Sequence, residues 1–278
     1  MTEMTDGIVV GYDGSPDSEL ALHWAAREAY DRQARLTICH AWTPEYLTLP
    51  IEPRLYEFEQ HRGEEIIGRG VRHAEPFAGP SGVGTLLACG SPAHMLCERS
   101  AAADMVVVGS RGHGRLSGLL LGSVAWQLAG HARGRIVIIR GQPASANLGP
   151  GPVVAGLDGS VPSLVALEFA AEEAALRDVP LVAVCALADA PQNLGGARRI
   201  EEEITNLVTR WEKDHSGISV LLQVTNRSPR AALLDAGAEA QMIVVGSRGR
   251  GGIPGMTVGS VTSALLHHAR CPVGVVRP

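Results

Sequence analysis

The chain contains one pattern twice. Gly109, Gly112, Gly122 and Ser123, in GSRGHGRLSGLLLGS, return as Gly246, Gly249, Gly259 and Ser260, in GSRGRGGIPGMTVGS, each 137 positions later. The duplication reaches further. IVVGYDGS at 8–15 matches VVAGLDGS at 153–160, and LTICHA at 36–41 matches LVAVCA at 181–186, both displaced by 145; SPAHML at 91–96 matches SPRAAL at 228–233, displaced by 137. The first copy therefore holds 145 − 137, or eight, additional residues between Ala41 and Ser91, and the segment Trp42–Pro53 with its three prolines is the natural place for them. A repeat of this length means two similar domains. The 278 residues allow roughly 140 for each, near the usual domain size. The expected boundaries are 1–141 and 152–278, joined by the Gly/Pro/Ala/Ser-rich, aperiodic stretch 142–151.

Within each copy, short apolar runs alternate with helix-like stretches. Strands are expected at about 8–11, 36–41, 83–88, 105–108 and 136–139, and again at about 153–156, 181–186, 218–224, 242–245 and 273–276. Runs such as MVVV and MIVV are apolar throughout, as central parallel strands covered on both faces should be. Ser15 with Pro16, and Ser160 with nearby Pro162, are helix-start signals. Alternating β and α elements imply a doubly wound α/β fold with parallel sheets.

Composition removes several function classes. Aromatics make up 4% and the formal charge is −5, so neither a base-stacking platform nor a basic patch for nucleic acid is evident. The start carries no basic, apolar leader and no run approaches a membrane span, so a cytoplasmic protein is expected. The five cysteines include no CxxC, and Cys39 and Cys185 read as small core hydrophobes rather than metal or redox groups. The acidic run Glu201–Glu203 reads as a solvated helix face.

In open α/β sheets ligands sit at the carboxyl ends of the strands, where the winding direction reverses. Two loops should meet there: the one carrying Gly11 and Asp13 (Gly156 and Asp158 in the second copy), and the glycine loop after the fourth strand. Glycines let backbone N–H groups approach a ligand closely, and a helix N-terminus adds partial positive charge and unbonded donors. Ser123 and Ser260 fit the N-cap position of such helices. Arg111 and Arg115, or Arg248 and Arg250, can offset phosphate charge. Asp13 and Asp158 cannot favour phosphate by charge; they face a base or ribose, or else they cap their own helices. A tight turn without ligand is the alternative for a lone glycine loop, but the duplication with matched aspartates favours an adenosine-phosphate pocket.

Competing motifs are missing. There is no GxxxxGK[ST], and the single lysine, Lys213, lies far from both loops. GYDGS follows the first strand in place of GxGxxG, which counts against a dinucleotide site. His94, His113, His131, His267 and His268 lack ligand spacing, and no GxSxG elbow occurs.

These motifs resemble the universal stress protein family in its tandem-domain form, over nearly the whole chain. The resemblance rests on VGYDGS and AGLDGS, on VVVGSRG and IVVGSRG, and on the spacing G-x2-G-x9-G-[ST], complete in both copies. It implies two Rossmann-like, adenine nucleotide alpha hydrolase-like domains, each a five-stranded parallel sheet of order 3-2-1-4-5. It implies ATP as ligand, with Mg²⁺ bound through the phosphates if at all. Asp13 and Asp158 would contact adenine or ribose, and main-chain atoms of Ala41 and Ala186 would pair with the adenine edge. The triphosphate would lie on Gly109, Ser110, Arg111, Gly112, His113, Gly114 and Arg115 with Gly122, Ser123 and Val124. In the second copy it would lie on Gly246, Ser247, Arg248, Gly249, Arg250, Gly251 and Gly252 with Gly259, Ser260 and Val261. Pairing through the last strand, within the chain or as a homodimer, is implied as well. The first copy departs from the pattern in having Gly134–Arg135 where the second has Cys271–Pro272 before that strand. The function expected is regulatory, exercised in the nucleotide-bound state towards an unidentified protein partner. Neither loop contains a carboxylate for Mg²⁺, which argues against turnover; a slow ATPase or phosphotransferase and a non-binding dimeric scaffold are the alternatives.

Overall fold

The structure, a computed structural model, describes residues 6–42, 53–77, 79–113, 121–140, 151–188, 196–215, 217–251 and 257–278. It divides into two compact units, one ending at Ile139 and the other starting at Arg140. The expected linker, 142–151, and the segment Trp42–Pro53 lie almost wholly outside the described residues.

Unit 1 contains β1 (Ile8–Gly11), α1 (Pro16–Asp31), β2 (Leu36–Trp42), α2 (Pro53–Ala74), β3 (Val83–Cys89), α3 (Pro92–Arg99), β4 (Met105–Gly109), α4 (Ser123–His131) and β5 (Gly134–Ile139). All its strand pairs are parallel, in the order β3-β2-β1-β4-β5. Unit 2 repeats the arrangement. Its elements are β6 (Val153–Gly156), α5 (Val161–Leu176), β7 (Leu181–Ala186), α6 (Gly196–Asp214), β8 (Val220–Thr225), α7 (Pro229–Ala236), β9 (Met242–Gly246), α8 (Ser260–His268) and β10 (Val273–Arg277). The order here is β8-β7-β6-β9-β10, again parallel. Both are the 3-2-1-4-5 order implied by the resemblance, and each expected strand is present within two residues of its expected ends.

The central strands are buried because helices cover both faces: Ile8, Val9, Val10 and Val107 are fully inaccessible, as are Val153, Val154, Ile243 and Val244. Alanine makes this possible. Ala21, Ala25, Ala26 and Ala29 of α1 are buried against the sheet, as are Ala166, Ala170, Ala171 and Ala174 of α5. Their short side chains bring the helix axes close to the strands, and Leu22 and Phe169 fill what remains. Phe169 is wholly buried, and a Cβ at Gly274 on β10 would lie 3.2 Å from its ring. Phe169→Ala is expected to destabilise unit 2 by about 3–5 kcal/mol, the range for an emptied aromatic site, read as the shift in chemical denaturation midpoint.

The helix starts follow the sequence signals. Ser15, Ser91, Ser160 and Ser228 are N-caps, each accepting from the backbone N–H three residues on. The departure at Gly134 is conformational: it takes φ 70 to lead into β5, a value that favours glycine, whereas Cys271 and Pro272 lead into β10 without positive φ. Cys39 and Cys185 are buried free thiols, and Glu202 and Glu203 sit on the exposed face of α6, pairing with Arg198 and Arg199. Among the described residues no helix is long and apolar enough to cross a membrane.

Candidate functional site

In unit 1 a cleft of about 1070 Å³ opens at the carboxyl ends of β1, β2 and β4, at the β1/β4 reversal point. Its floor is the loop after β1. There Gly14 has φ 77, as Gly159 has φ 78 in unit 2, which explains glycine after each aspartate. Asp13 Oδ1 accepts the Ser15 N–H at 3.0 Å, closing a local turn, and Oδ2 accepts the His113 N–H at 3.0 Å. Asp158 does the same with Ser160 N (2.9 Å) and Arg250 N (2.8 Å). Each aspartate thus clamps the loop after the first strand of its unit to the glycine loop, 100 residues away in unit 1 and 92 in unit 2, a role in addition to the two expected for it. Burial alone would raise the Asp13 carboxyl, but hydrogen bonds from Ser15, from the His113 N–H and from Ser18 outweigh it and hold the group below its ordinary 3.8. Asp158 is lowered in the same way by Ser160, the Arg250 N–H and Ser163. A depressed folded-state pKa contributes stability above the unfolded value, which is lost as pH falls through the folded one. The thermal midpoint should therefore drop below about pH 4, near the ordinary Asp value, and Asp13→Asn plus Asp158→Asn should flatten that part of the pH profile.

The glycine spacing has a packing cause. A Cβ on Gly109 would stand 2.6 Å from the backbone C and O of Asp17 in the first turn of α1. One on Gly246 would stand 2.9 Å from the Pro162 carbonyl carbon. A Cβ on Gly112 would meet Asp13 Oδ2 at 2.5 Å, and one on Gly249 would press on Asp158 Oδ2. Gly122 donates its N–H to Ser110 O at 2.7 Å and Gly259 to Ser247 O at 2.9 Å, so the loop closes on its own beginning. Gly114, Arg115 and Gly252 lie outside the described residues.

Ser123 and Ser260 are not N-caps. Gly122 and Gly259 hold that position, with extended backbone (φ −76, ψ 156 and φ −69, ψ 156) and no side-chain cap. The loop-closing bond to Ser110 or Ser247 fixes the glycine as the last non-helical residue, which moves the serine into the first helical position. The α4 and α8 N-termini therefore open without a side-chain acceptor, in contrast to the four serine-capped helices. Ser123 and Val124 line the cleft beside Gly109, Arg111, Gly112 and His113.

At the other end of the cleft, β1 stops at Gly11 while β2 continues to Trp42, one residue beyond expectation. Cys39 O accepts the Tyr12 N–H at 2.8 Å, and strand alternation turns the Ala41 main chain to the same side, past the end of β1. In unit 2 Leu157 N donates to Val184 O, which places the Ala186 main chain alike. Gly11 lines the cleft and also has a packing cause, a Cβ there falling 2.9 Å from Leu96 Cδ1; Gly156 meets Val245 at the same distance.

Several lining residues have no counterpart in the sequence expectation. Asp17, at the second position of α1, accepts from Arg111 Nε (3.1 Å) and Nη2 (3.2 Å) and from Ser110 Oγ (2.8 Å). Ser110 is consequently buried, its hydroxyl committed to Asp17. Helix α2 forms a wall through Arg62, Gly63, Ile66 and Arg69. The glycines let it lie close: a Cβ on Gly63 would fall 2.7 Å from Leu87 Cδ1, and one on Gly70 would fall 2.9 Å from the Tyr12 ring. The spacing 62/63, 66, 69/70 is a helical stripe, the signal that could have revealed this wall. His40 is buried with Nδ1 2.8 Å from Tyr12 O; the carbonyl can only accept, so Nδ1 carries the proton, and burial holds the ring below its ordinary 6.5.

Taken together, fold and site define a tandem α/β protein with a glycine-loop cleft at the sheet reversal point. The comparisons agree. The model of the universal stress protein family matches residues 4–140 and again 151–277, and the chain belongs to that family. It is 35% identical over 290 residues to the universal stress protein Rv2623 of Mycobacterium tuberculosis, covering 98% of this chain and 96% of that one. It is 36% identical over 303 residues to the universal stress protein Mb2019 of Mycobacterium bovis, with 98% and 95% covered. Among solved structures, a universal stress protein from Archaeoglobus fulgidus superposes with TM-score 0.74 at 18% identity, covering 98% of both chains, a likeness of fold.

Proposed function

We propose that each unit binds one adenine nucleotide, ATP foremost, and that the protein acts through its nucleotide-bound state. The observation that carries this reading is the convergence on one cleft of an uncapped helix N-terminus, a glycine loop and an exposed strand main chain. The first two supply N–H donors and partial positive charge for phosphates. The strand edge past Gly11 offers a donor and an acceptor to a base, and the cleft volume is in the range of small-molecule sites. Unit 2 reproduces the clamp, the uncapped helix and the strand edge. Mg²⁺, if present, is held through the phosphates; Asp17 comes near the glycine loop but is bound to Arg111 and Ser110. We read this as a binding role without turnover, since Asp13 and Asp17, the carboxylates at the unit 1 loop among the described residues, are both engaged.

Titration of nucleotide-free protein with ATP tests this. Two ATP bound per chain is the expected result. No binding of ATP, ADP or AMP at millimolar concentration overturns the reading and leaves the dimeric-scaffold alternative. Steady ADP production lost on substitution of the glycine loops would establish the ATPase alternative.

A further inference from the structure

The two glycine loops are near-copies, yet the charges around them differ. In unit 1 the guanidinium of Arg111 is held by both carboxylate oxygens of Asp17. The residue at the corresponding place in unit 2 is Pro162, 145 positions later, and Pro162 contacts Gly246 as Asp17 contacts Gly109. Among the described residues, Arg248, the counterpart of Arg111, is exposed and makes no ion pair. The position after the second glycine differs as well: His113 in unit 1 is Arg250 in unit 2, whose guanidinium lies over Gly159, 3.9 Å from Glu203. Each loop carries two arginines in sequence, Arg111 and Arg115 in unit 1 and Arg248 and Arg250 in unit 2. Among the described residues the other unit 1 cations at the cleft stand on α2, Arg69 over Gly14 and Arg62 paired with Glu59. The difference at the start of the loop is that Asp17 holds Arg111 in unit 1, whereas Pro162 at the same place offers Arg248 no carboxylate.

We propose that Asp17 makes the two sites select by phosphate charge: unit 2 prefers nucleoside triphosphates, and unit 1 holds mono- and triphosphates with similar strength. This rests on the nucleotide reading above and adds a division of labour to it. A polyphosphate at the unit 1 loop meets the Asp17 carboxylate, and Arg111 must leave a bidentate partner to reach it. Neither cost arises at Pro162. The two units offer the same strand main-chain edge past β1 and β6, and a nucleotide with one phosphate, bringing the least charge to the loop, is affected least. One net charge a few ångströms from the phosphates at intermediate effective dielectric corresponds to roughly tenfold in affinity.

The test is calorimetric titration of the nucleotide-free full chain with ATP and with AMP, for the wild type, Asp17→Asn and Arg248→Gln. The expected wild-type result is two ATP sites about tenfold or more apart in Kd and two AMP sites within about threefold, by the same estimate. Asp17→Asn, which keeps the side-chain shape, should tighten the weaker ATP site about tenfold with little change for AMP; Arg248→Gln should weaken the tighter one. Equal ATP affinities in the wild type, or an Asp17→Asn protein folded by circular dichroism whose weaker site is unchanged or further weakened, overturn the proposal while nucleotide binding stands. If Asp17→Asn does not fold, the wild-type separation and Arg248→Gln decide. No binding of either nucleotide overturns this proposal and the nucleotide reading together.

Discussion

Gly109→Ala should destabilise unit 1 by about 2–3 kcal/mol, the cost of overpacking a tight contact, and should remove nucleotide binding there while unit 2 keeps its own. The added methyl would meet main-chain atoms of Asp17 at 2.6 Å, and main chain in the first turn of a helix cannot step aside as a side-chain tip can. Relief requires α1 and β4 to separate at their carboxyl-end junction, where the β1 loop and the glycine loop are clamped. Gly246→Ala should act likewise on unit 2, the obstacle there being Pro162, whose ring fixes φ and stiffens the helix start. Gly122→Ala is the control. Its Cβ would stand 3.3 Å from Ser110 O, a contact that small movements relieve, so its effect on stability should be well under half that of Gly109→Ala. Denaturant midpoints for the three variants measure the difference; equal losses would remove the packing explanation of the first glycine.

Asp13→Ala has its largest effect on binding. The substitution leaves the N–H groups of Ser15 and His113 without their acceptor. Losing the acceptor of the buried Ser15 and of the exposed His113 costs about 1–3 kcal/mol, most of it at Ser15, and it unties the glycine loop from the β1 loop. Because the loop must then be ordered by the ligand, affinity at unit 1 should fall about a hundredfold, the equivalent of roughly 2.7 kcal/mol. Asp13→Asn separates charge from geometry. Its single amide oxygen can accept from one of the two N–H groups, and turned towards His113 it keeps the glycine loop tied while the Ser15 bond is lost, so the loss should be smaller, about tenfold by the same conversion. Equal losses for the two variants would mean that the carboxylate acts by its contact with the base or ribose, as the sequence alone suggested, rather than as the clamp.

The sequence revealed most of the fold for a physical reason. Fully buried parallel strands are apolar runs, and serine followed closely by proline is a local helix-start signal, so strands such as IVVG and MVVV and the caps Ser15 and Ser160 are read residue by residue, while the caps Ser91 and Ser228 carry the same signal and are seen only as part of the repeat. Duplication then confirmed the register of one half against the other. The glycine pattern was legible as a pattern, but its cause was not: Gly109 is glycine because of Asp17, ninety-two positions earlier, and Gly112 because of Asp13. The assignment of Ser123 and Ser260 as caps failed because the helix start is set by a long-closing bond from Gly122 or Gly259 back to the start of the loop, which local propensity does not contain. The α2 wall and the Asp17–Arg111 pair escaped because they depend on which helix the doubly wound topology lays against the cleft. Their helical stripe was present in the sequence without any indication of what it faced.

The measurement closest to the central reading is the number of ATP sites per chain that keep an affinity within about tenfold of the wild type, resolved by equilibrium dialysis over a range of ATP concentrations and compared among the wild type, Asp13→Ala, Asp158→Ala and the double variant. The expected series is two, one, one and none. A wild type that binds no nucleotide, or a single substitution that empties both sites, contradicts it.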